Sequence, residues 1–348
     1  MKQISNKDGL QNKQAPSMYS IKIEEQLEDM VKWLYIGTNI PVWPEFYPYI
    51  LHDLNVFHTK SLLLKEDDNI AGHVLVYHED TKILYFGFFG VLNHEHKKID
   101  FLISRLIDYG KQNNFSKIIG PINIPIVIYG WGFLEKNGNA NLYIGKPINP
   151  PIYQDLFFQK GFIVKTKEVS LEGPVLKFSE KMLSNYDEKN YDLIHPKNWK
   201  EVLDFKQTFF KLNANLSPGS VITPGINNLY ENYVKFLKDY GHLFMITFLR
   251  HKPKNEIVGS FFCVPNPFRR NDKGIYDSYV VFSILIDKEH QGKGMGGILT
   301  LTAANEAWKN KIRYNASPFE SKASRSIALG KKFGLKLKRT HLILEYLI

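Results

Sequence analysis

The feature that most constrains this chain is an internal repeat: the second half restates, in order, the element pattern of the first. In the second half, EIVGSFFCVPNPF (256–268) alternates toward a strand that ends in a Pro/Asn turn, and IYDSYVVFSILI (275–286) is a β-branched and aromatic strand. Then come a dense glycine turn and ILTLTAANEAWKN, which sets Ile298, Leu301, Ala304, Ala307 and Trp308 on one helical face. IRYNAS reads as a short strand, SRSIALGKKFG as a helix closed by Gly334, and LKRTHLILEYLI as a final strand. In the first half NIAGHVLVYHED answers EIVGSFFCVPNP, with Ile70, Ala71 and Gly72 in the places of Ile257, Val258 and Gly259. ILYFGFFGVLNHEH answers the aromatic strand, FLISRLIDYGKQN supplies the helix, FSKIIGPIN the next strand, and IYQDLFFQKGF the helix running into Gly161. Order as well as composition is matched, so the pattern is that of a degenerate tandem duplication. The expectation is α/β (α+β): two tandem domains, each a mixed, mostly antiparallel sheet flanked by helices. The boundaries read as a polar tail over 1–17, a first domain over 18–177, a polar linker over 178–192 and a second domain over 193–348.

Composition allows this. A chain of 348 residues with 44% hydrophobic content is long enough for two cores. The one cysteine, Cys263, has no partner for an internal disulfide, and the polar opening MKQISNKDGLQNKQAPS has no apolar signal core, so a cytoplasmic protein is expected. The most apolar run, YVVFSILI (279–286), has strand length and falls short of a membrane span. The 45 Lys+Arg against 35 Asp+Glu give +10, which suits an anionic partner, but the lysines are scattered. The densest group, Lys331, Lys332, Lys336, Lys338 and Arg339, reads as a solvated helix end and edge strand. Nucleic acid is therefore a weak expectation, and no His/Cys/Asp cluster has metal-ligand spacing.

The chemistry concentrates in IDKEHQGKGMGGILT (286–300), where Gly292, Gly294, Gly296 and Gly297 separate a strand from a helix. A turn feeding a helix N-terminus exposes amides with no partner inside the helix, and the dipole adds partial positive charge. Such a place takes phosphate, and glycines let several N–H groups converge while a pyrophosphate approaches the backbone. Lys293 adds charge. The spacing GKGMGG is wrong for a dinucleotide fingerprint, and a Walker loop would need Gly-Lys-Ser/Thr.

Read as Gln291, Gly292, Lys293, Gly294, Met295, Gly296, this stretch resembles the acyl-CoA-binding motif of the GCN5-related N-acetyltransferase (GNAT) superfamily. Downstream, ASRSIALGKKFGL keeps Lys332, Gly334 and an apolar Leu335 of the superfamily's next helix. WPEFYPYILHDLN, FGFFG, GPIN and NPPIYQ in the first half, with IVGSFFCVPNP in the second, look like a bacterial group of tandem GNAT proteins, so the resemblance covers nearly the whole chain. It implies acetyl-CoA, or another acyl-CoA, as donor and a small-molecule or peptide amine as acceptor. Leu285, Ile286, Gln291, Gly292, Lys293, Gly294, Met295, Gly296 and Gly297 would then bind the donor. In the first half NHEHKKIDF (93–101) replaces the glycine turn, which points to a lost site kept as scaffold rather than a second donor site.

The resemblance also implies direct transfer with a general acid and base. Here the sequence departs from the pattern, because the usual tyrosine falls on Gly330 and the usual asparagine on Ala323. Tyr314, Ser324 and Ser326 are substitutes for the acid, and Glu289 and Asp287 for the base; the catalytic candidates are accordingly Glu289, Ser326 and Tyr314. His290, His242 and the Ile348 carboxylate are further candidates. Two long loops, 209–228 and 120–151, with Trp131, Tyr129 and Tyr143, are expected to face the acceptor. Two rival readings remain: a tandem GNAT-like peptidyltransferase using aminoacyl-tRNA, to which the +10 charge is suited, and a non-catalytic acyl-CoA-binding module.

Overall fold

A computed structural model describes residues 19–38, 41–135, 142–184, 186–214, 224–269 and 276–348. The polar tail over 1–17 and the centres of both long loops, 136–141 and 215–223, lie outside the described residues. The first half runs β1 (Tyr19–Glu24), α1 (Leu27–Met30), α2 (Tyr47–Leu54), β2 (His58–Glu66), β3 (Asn69–His78), β4 (Ile83–Val91) and α3 (His96–Gln112). It continues through β5 (Lys117–Gly120), α4 (Ile126–Tyr129), β6 (Phe133–Leu134), α5 (Pro151–Gln159) and β7 (Ile163–Pro174). The second half runs α6 (Glu180–Leu183), β8 (Tyr191–Ile194), α7 (Trp199–Asp204), α8 (Lys206–Asn213), α9 (Ile226–Tyr240), β9 (Ile246–His251), β10 (Glu256–Pro265) and β11 (Ser278–Ile286). It closes with α10 (Met295–Lys309), β12 (Tyr314–Glu320), α11 (Ser324–Lys332) and β13 (Lys336–Leu347).

The repeat is visible in the pairing. In each half three antiparallel pairs lead to one parallel pair, which is short: Ile83, Leu84 and Tyr85 of β4 pair with Lys117, Ile118 and Ile119 of β5, and Ser278, Tyr279 and Val280 of β11 pair with Tyr314, Asn315 and Ala316 of β12. Beyond these three residues the strands diverge. Each half places a helix behind the divergence, and the apolar spacing of α3 (Ile99, Leu102, Ile103, Leu106, Ile107) buries one face against the sheet.

The halves are not separate sheets. One sheet runs β1-β2-β3-β4-β5-β13-β7-β12-β11-β10-β9-β8, with β6 beside β13. The last strand of each half has crossed to the other: β13 lies beside β5 of the first half, with Leu344 opposite Gly120, and β7 lies beside β12 of the second, with Leu171 opposite Ser317. The two crossed strands also pair with each other from Lys336/Glu172 to Glu345/Ile163. The segment between the halves carries α6 and the start of β8.

Helices cover the junction. α9 buries Leu229, Tyr230, Tyr233, Val234, Phe236 and Leu237 at i, i+1, i+4, i+5, i+7 and i+8, and its Phe236 ring meets Tyr49 of α2 edge-on at 5.3 Å. The Asn232 amide donates to Tyr49 O (3.0 Å) and Asp53 Oδ1 (2.6 Å), tying second half to first inside this core.

Candidate active site

β11 ends at Ile286, and the chain then makes one 3₁₀ turn and the glycine turn before α10 begins. Gly292 and Gly294 have φ of +79° and +78°, the left-handed region in which a side chain is strained. A Cβ at either would meet nothing within 4 Å, so the backbone conformation, not crowding, demands glycine there. Gly296 differs: it lies within α10 without a positive φ, and a Cβ would sit 3.6 Å from Ile286 Cδ1. Gly294 is the residue preceding α10, and no side chain caps that helix. Among the described residues no backbone carbonyl accepts from the amides of Gly292, Lys293, Gly294, Met295 or Gly296. Gln291 folds back, its amide donating to Ile286 O at 2.9 Å. Lys293 Nζ donates to Tyr191 Oη (3.1 Å), whose partner is His290 Nδ1 (2.8 Å). His290 is thus buried beneath the turn, where desolvation, His251 and Lys293 hold its pKa below the usual imidazole value.

The divergence of β11 from β12 opens a cleft of about 470 Å³. Val281 to Ile286 line it on one side, Ser317, Pro318, Phe319, Ala323, Ser326 and Gly330 on the other, with Gln291, Gly296 and Thr300 at the glycine-turn end. Asp287 N–H donates to Val258 O (2.8 Å), and antiparallel alternation from that pair turns the backbone groups of Ile286 and Ile284 away from β10, toward the open side. Leu285 opposes Ser260 on β10, so its backbone faces that strand. The register shifts at Phe262/Cys263, leaving Phe282 as an extra residue of β11 where the cleft narrows.

The structure gathers Leu285, Ile286, Gln291, Gly296 and Ser326 around this cleft, and leaves other candidates outside its lining. Glu289 is exposed on the 3₁₀ turn, its N–H donating to Asp287 Oδ1 at 3.1 Å. Tyr314 sits at the paired end of β12, 39% exposed, with the Arg269 guanidinium 3.9 Å from its ring centroid. His242 stacks on Phe244 away from the lining. Tyr129 and Tyr143 are buried in the core, and of the three loop aromatics Trp131 alone lines the cleft. The Ile348 end does not reach it either: β13 has crossed to the first half, and Ile348 N–H donates to Ser116 O at 3.0 Å. Gly330 and Ala323 do line the cleft, and a Cβ at Gly330 would come 2.8 Å from Leu171 Cδ1, so a larger residue there requires the end of the Leu171 side chain to shift.

One cleft carboxylate escaped the sequence reading. Glu168 belongs to β7, the strand lent by the first half, and is 7% exposed. Its Oε2 accepts from Trp131 Nε1 at 3.0 Å, and its Oε1 from the Nζ of Lys146, itself 3% exposed and 5.6 Å from the Trp131 ring centroid. Each carboxylate oxygen keeps a lone pair beyond these contacts. Trp131 is the one signal in the sequence that pointed toward this wall.

The first half repeats the geometry and fills it. Val91 N–H, at the end of β4, donates to the buried Tyr153 Oη (2.9 Å), which donates to Gly37 O (3.1 Å) and also meets His94 Nδ1 (3.0 Å). The chain at Ile36–Gly37 crosses so close that a Cβ at Gly90 would overlap Ile36 O, at 1.7 Å. Lys98, in the first turn of α3, is buried between Glu66 and Glu95, each at 2.7 Å. Two carboxylates therefore stand near the end of α3 where the second half leaves amides free.

No family model matches this sequence, and no curated protein matches it. Solved structures do. A tandem GNAT protein from the clavulanic acid biosynthesis pathway, solved without AcCoA, is 9% identical with a TM-score of 0.61, over 95% of this chain and 98% of that one. A GCN5-related N-acetyltransferase from Sphaerobacter thermophilus is 10% identical with a TM-score of 0.54, over 86% and 85%. A GCN5-related glucosamine N-acetyltransferase region of a fungal multi-domain GH3 beta-N-acetylglucosaminidase is 14% identical with a TM-score of 0.63, over 95% of this chain and 38% of that one. At these identities the likeness is one of fold. That fold is the tandem GNAT fold, and it spans both halves. Among the described residues no helix is long and apolar enough to cross a membrane, and no group of His, Cys, Asp and Glu is placed to hold a metal ion.

Proposed function

We propose that the chain is an acyl-CoA-dependent N-acyltransferase that works in the second-half cleft, with the first half as scaffold and acceptor wall. The observation that carries this is the unpartnered amide cluster of Gly292 to Gly296 at the mouth of the diverging β11 and β12. Those amides and the α10 dipole hold the pyrophosphate, and Lys293 adds a cation poised by Tyr191. The inward backbone groups of Ile284 and Ile286 bind the pantetheine arm as a neighbouring strand would, with Leu285 packing from behind. The donor thioester supplies an activated acyl carbon and a thiol leaving group. Glu168 receives the acceptor's ammonium group and takes its proton, while Lys146 compensates the charge of the carboxylate before the acceptor arrives. Ser326, a hydroxyl of α11 that lines the cleft, protonates the departing thiolate. The plug of Tyr153 in the first half supports the scaffold reading, since the Val91 amide is already satisfied.

Thiol release from acetyl-CoA across a panel of primary amines tests the proposal. The expected result is amine-dependent release that Gly294→Val abolishes. Tight CoA binding with no release on any amine would instead favour a non-catalytic acyl-CoA-binding module, and co-purifying RNA with no CoA binding would favour the aminoacyl-tRNA reading.

A further inference from the structure

A second cavity, of about 40 Å³, lies under the junction of the two halves. Its wall is mostly apolar: Ile126 and Val127 come from α4 of the first half, Leu229, Tyr233 and Phe236 from α9 of the second, and its polar members Asp53 and Asn232 are hydrogen-bonded to each other. Phe209, Ile226 and Phe282 line both this cavity and the main cleft, so the two spaces meet at those side chains. Phe282 is the extra residue of β11 at the narrow end of the cleft, and its ring lies 4.5 Å from that of Tyr233. The Tyr233 hydroxyl is buried without a partner in the described structure.

A donor anchored at Gly292 to Gly296 and laid along the open edge of β11 brings its thioester end toward Phe282. The cavity begins there. We infer that it takes the acyl chain of the donor, and that the preferred donor carries a chain of four to five carbons rather than acetyl. This rests on the donor reading above. The length follows from the space: a cavity needs roughly 10–15 Å³ of this measure for each water-sized group, so the volume suits three or four carbons beyond the carbonyl.

The test is calorimetric titration of the full chain with CoA, acetyl-CoA, butyryl-CoA, hexanoyl-CoA and octanoyl-CoA. Each buried methylene is expected to tighten binding about fourfold, so butyryl-CoA, with two more methylenes, should bind roughly fifteenfold tighter than acetyl-CoA, with no further gain at octanoyl. Leu229→Phe, which fills the cavity, should bring the butyryl-to-acetyl ratio close to one. Phe236→Leu, which enlarges it, should move the best chain to a longer one. A flat or falling series from acetyl-CoA onward, with CoA itself bound, overturns the inference and leaves the donor reading standing. Failure of every CoA species to bind overturns both. A flat donor series together with hexylamine binding that Leu229→Phe abolishes assigns the cavity to the acceptor, which also overturns the inference.

Discussion

Replacing Gly294 by valine attacks the glycine turn at its most demanding residue. Its φ of +78° is open to glycine, whereas an ordinary L-residue there is strained by roughly 1–2 kcal/mol and a β-branched one by more. Nothing within 4 Å would resist the new Cβ, so relief comes through rotation of the backbone, and that rotation turns the amides of Lys293 to Gly296 out of convergence. Loss of two charge-assisted hydrogen bonds, at about 1.5 kcal/mol each or more, weakens CoA binding by roughly a hundredfold or more. Gly296→Ala is the informative comparison. Its φ is not positive, the new methyl makes an ordinary contact with Ile286, and alanine favours a helix interior, so stability should hold or rise while affinity falls less than about tenfold. Gly294→Asn, which tolerates the left-handed region, should fall between the two. His96→Val, on the exposed face of the first-half turn, should leave affinity unchanged because the Val91 amide is held by Tyr153. Isothermal titration with CoA reads all four. Wild-type affinity in Gly294→Val would refute the reasoning, since the turn would then be only a tight connection between strand and helix.

Glu168→Gln should lower kcat for amine acylation by about a hundredfold, the ordinary range for a lost base, with CoA affinity unchanged and activity partly recovered at high pH; an unaltered pH profile would remove Glu168 from the chemistry. Lys146→Met leaves the buried carboxylate uncompensated and should destabilise the fold by about 3 kcal/mol or more in urea denaturation, most of it restored in the Lys146→Met/Glu168→Gln double variant. Two buried neutral histidines make the fold acid-labile: desolvation lowers His73 to about 4 and His341 to about 3, against 6.5 when unfolded. The unfolded chain therefore takes up these protons first, and stability should fall as pH drops from about 6.5 to about 4, by roughly 3 kcal/mol for each residue. His341→Gln, which keeps a donor for Pro147 O, should remove about half of that slope, and an unchanged slope would count against the assignment.

What the sequence made legible was local. The alternation of β10 and β11, the glycine turn and the helical face of α10 are written in neighbouring residues, and so is the repeat that copies them. Strand partners are another matter. A run such as LKRTHLILEYLI shows that it is a strand, but its neighbours are chosen by packing among residues far away in the chain, and here β13 chose β5 and β7. That choice carries Ile348 away from the cleft and brings Glu168 into it, two outcomes that no periodicity could show. Glu289 and Tyr314 lie close to the cleft in sequence, yet one follows a 3₁₀ turn to the surface and the other stands where the strands still pair.

The crossed strands also set the order in which this protein can come into being. While the chain is being synthesised, β5 is finished early, but its partner β13 is made after every other described strand, and β7 waits for β12 and β13 on its two sides. Until then the nascent first half presents bare edges from apolar strands, which is the state most open to pairing with a neighbouring chain. A break anywhere between β7 and β8 would yield two fragments, neither able to finish its sheet alone and each carrying the strand the other lacks. Co-expressed, such fragments are expected to find one another, so the link between the halves is dispensable to the finished architecture while the exchange is not.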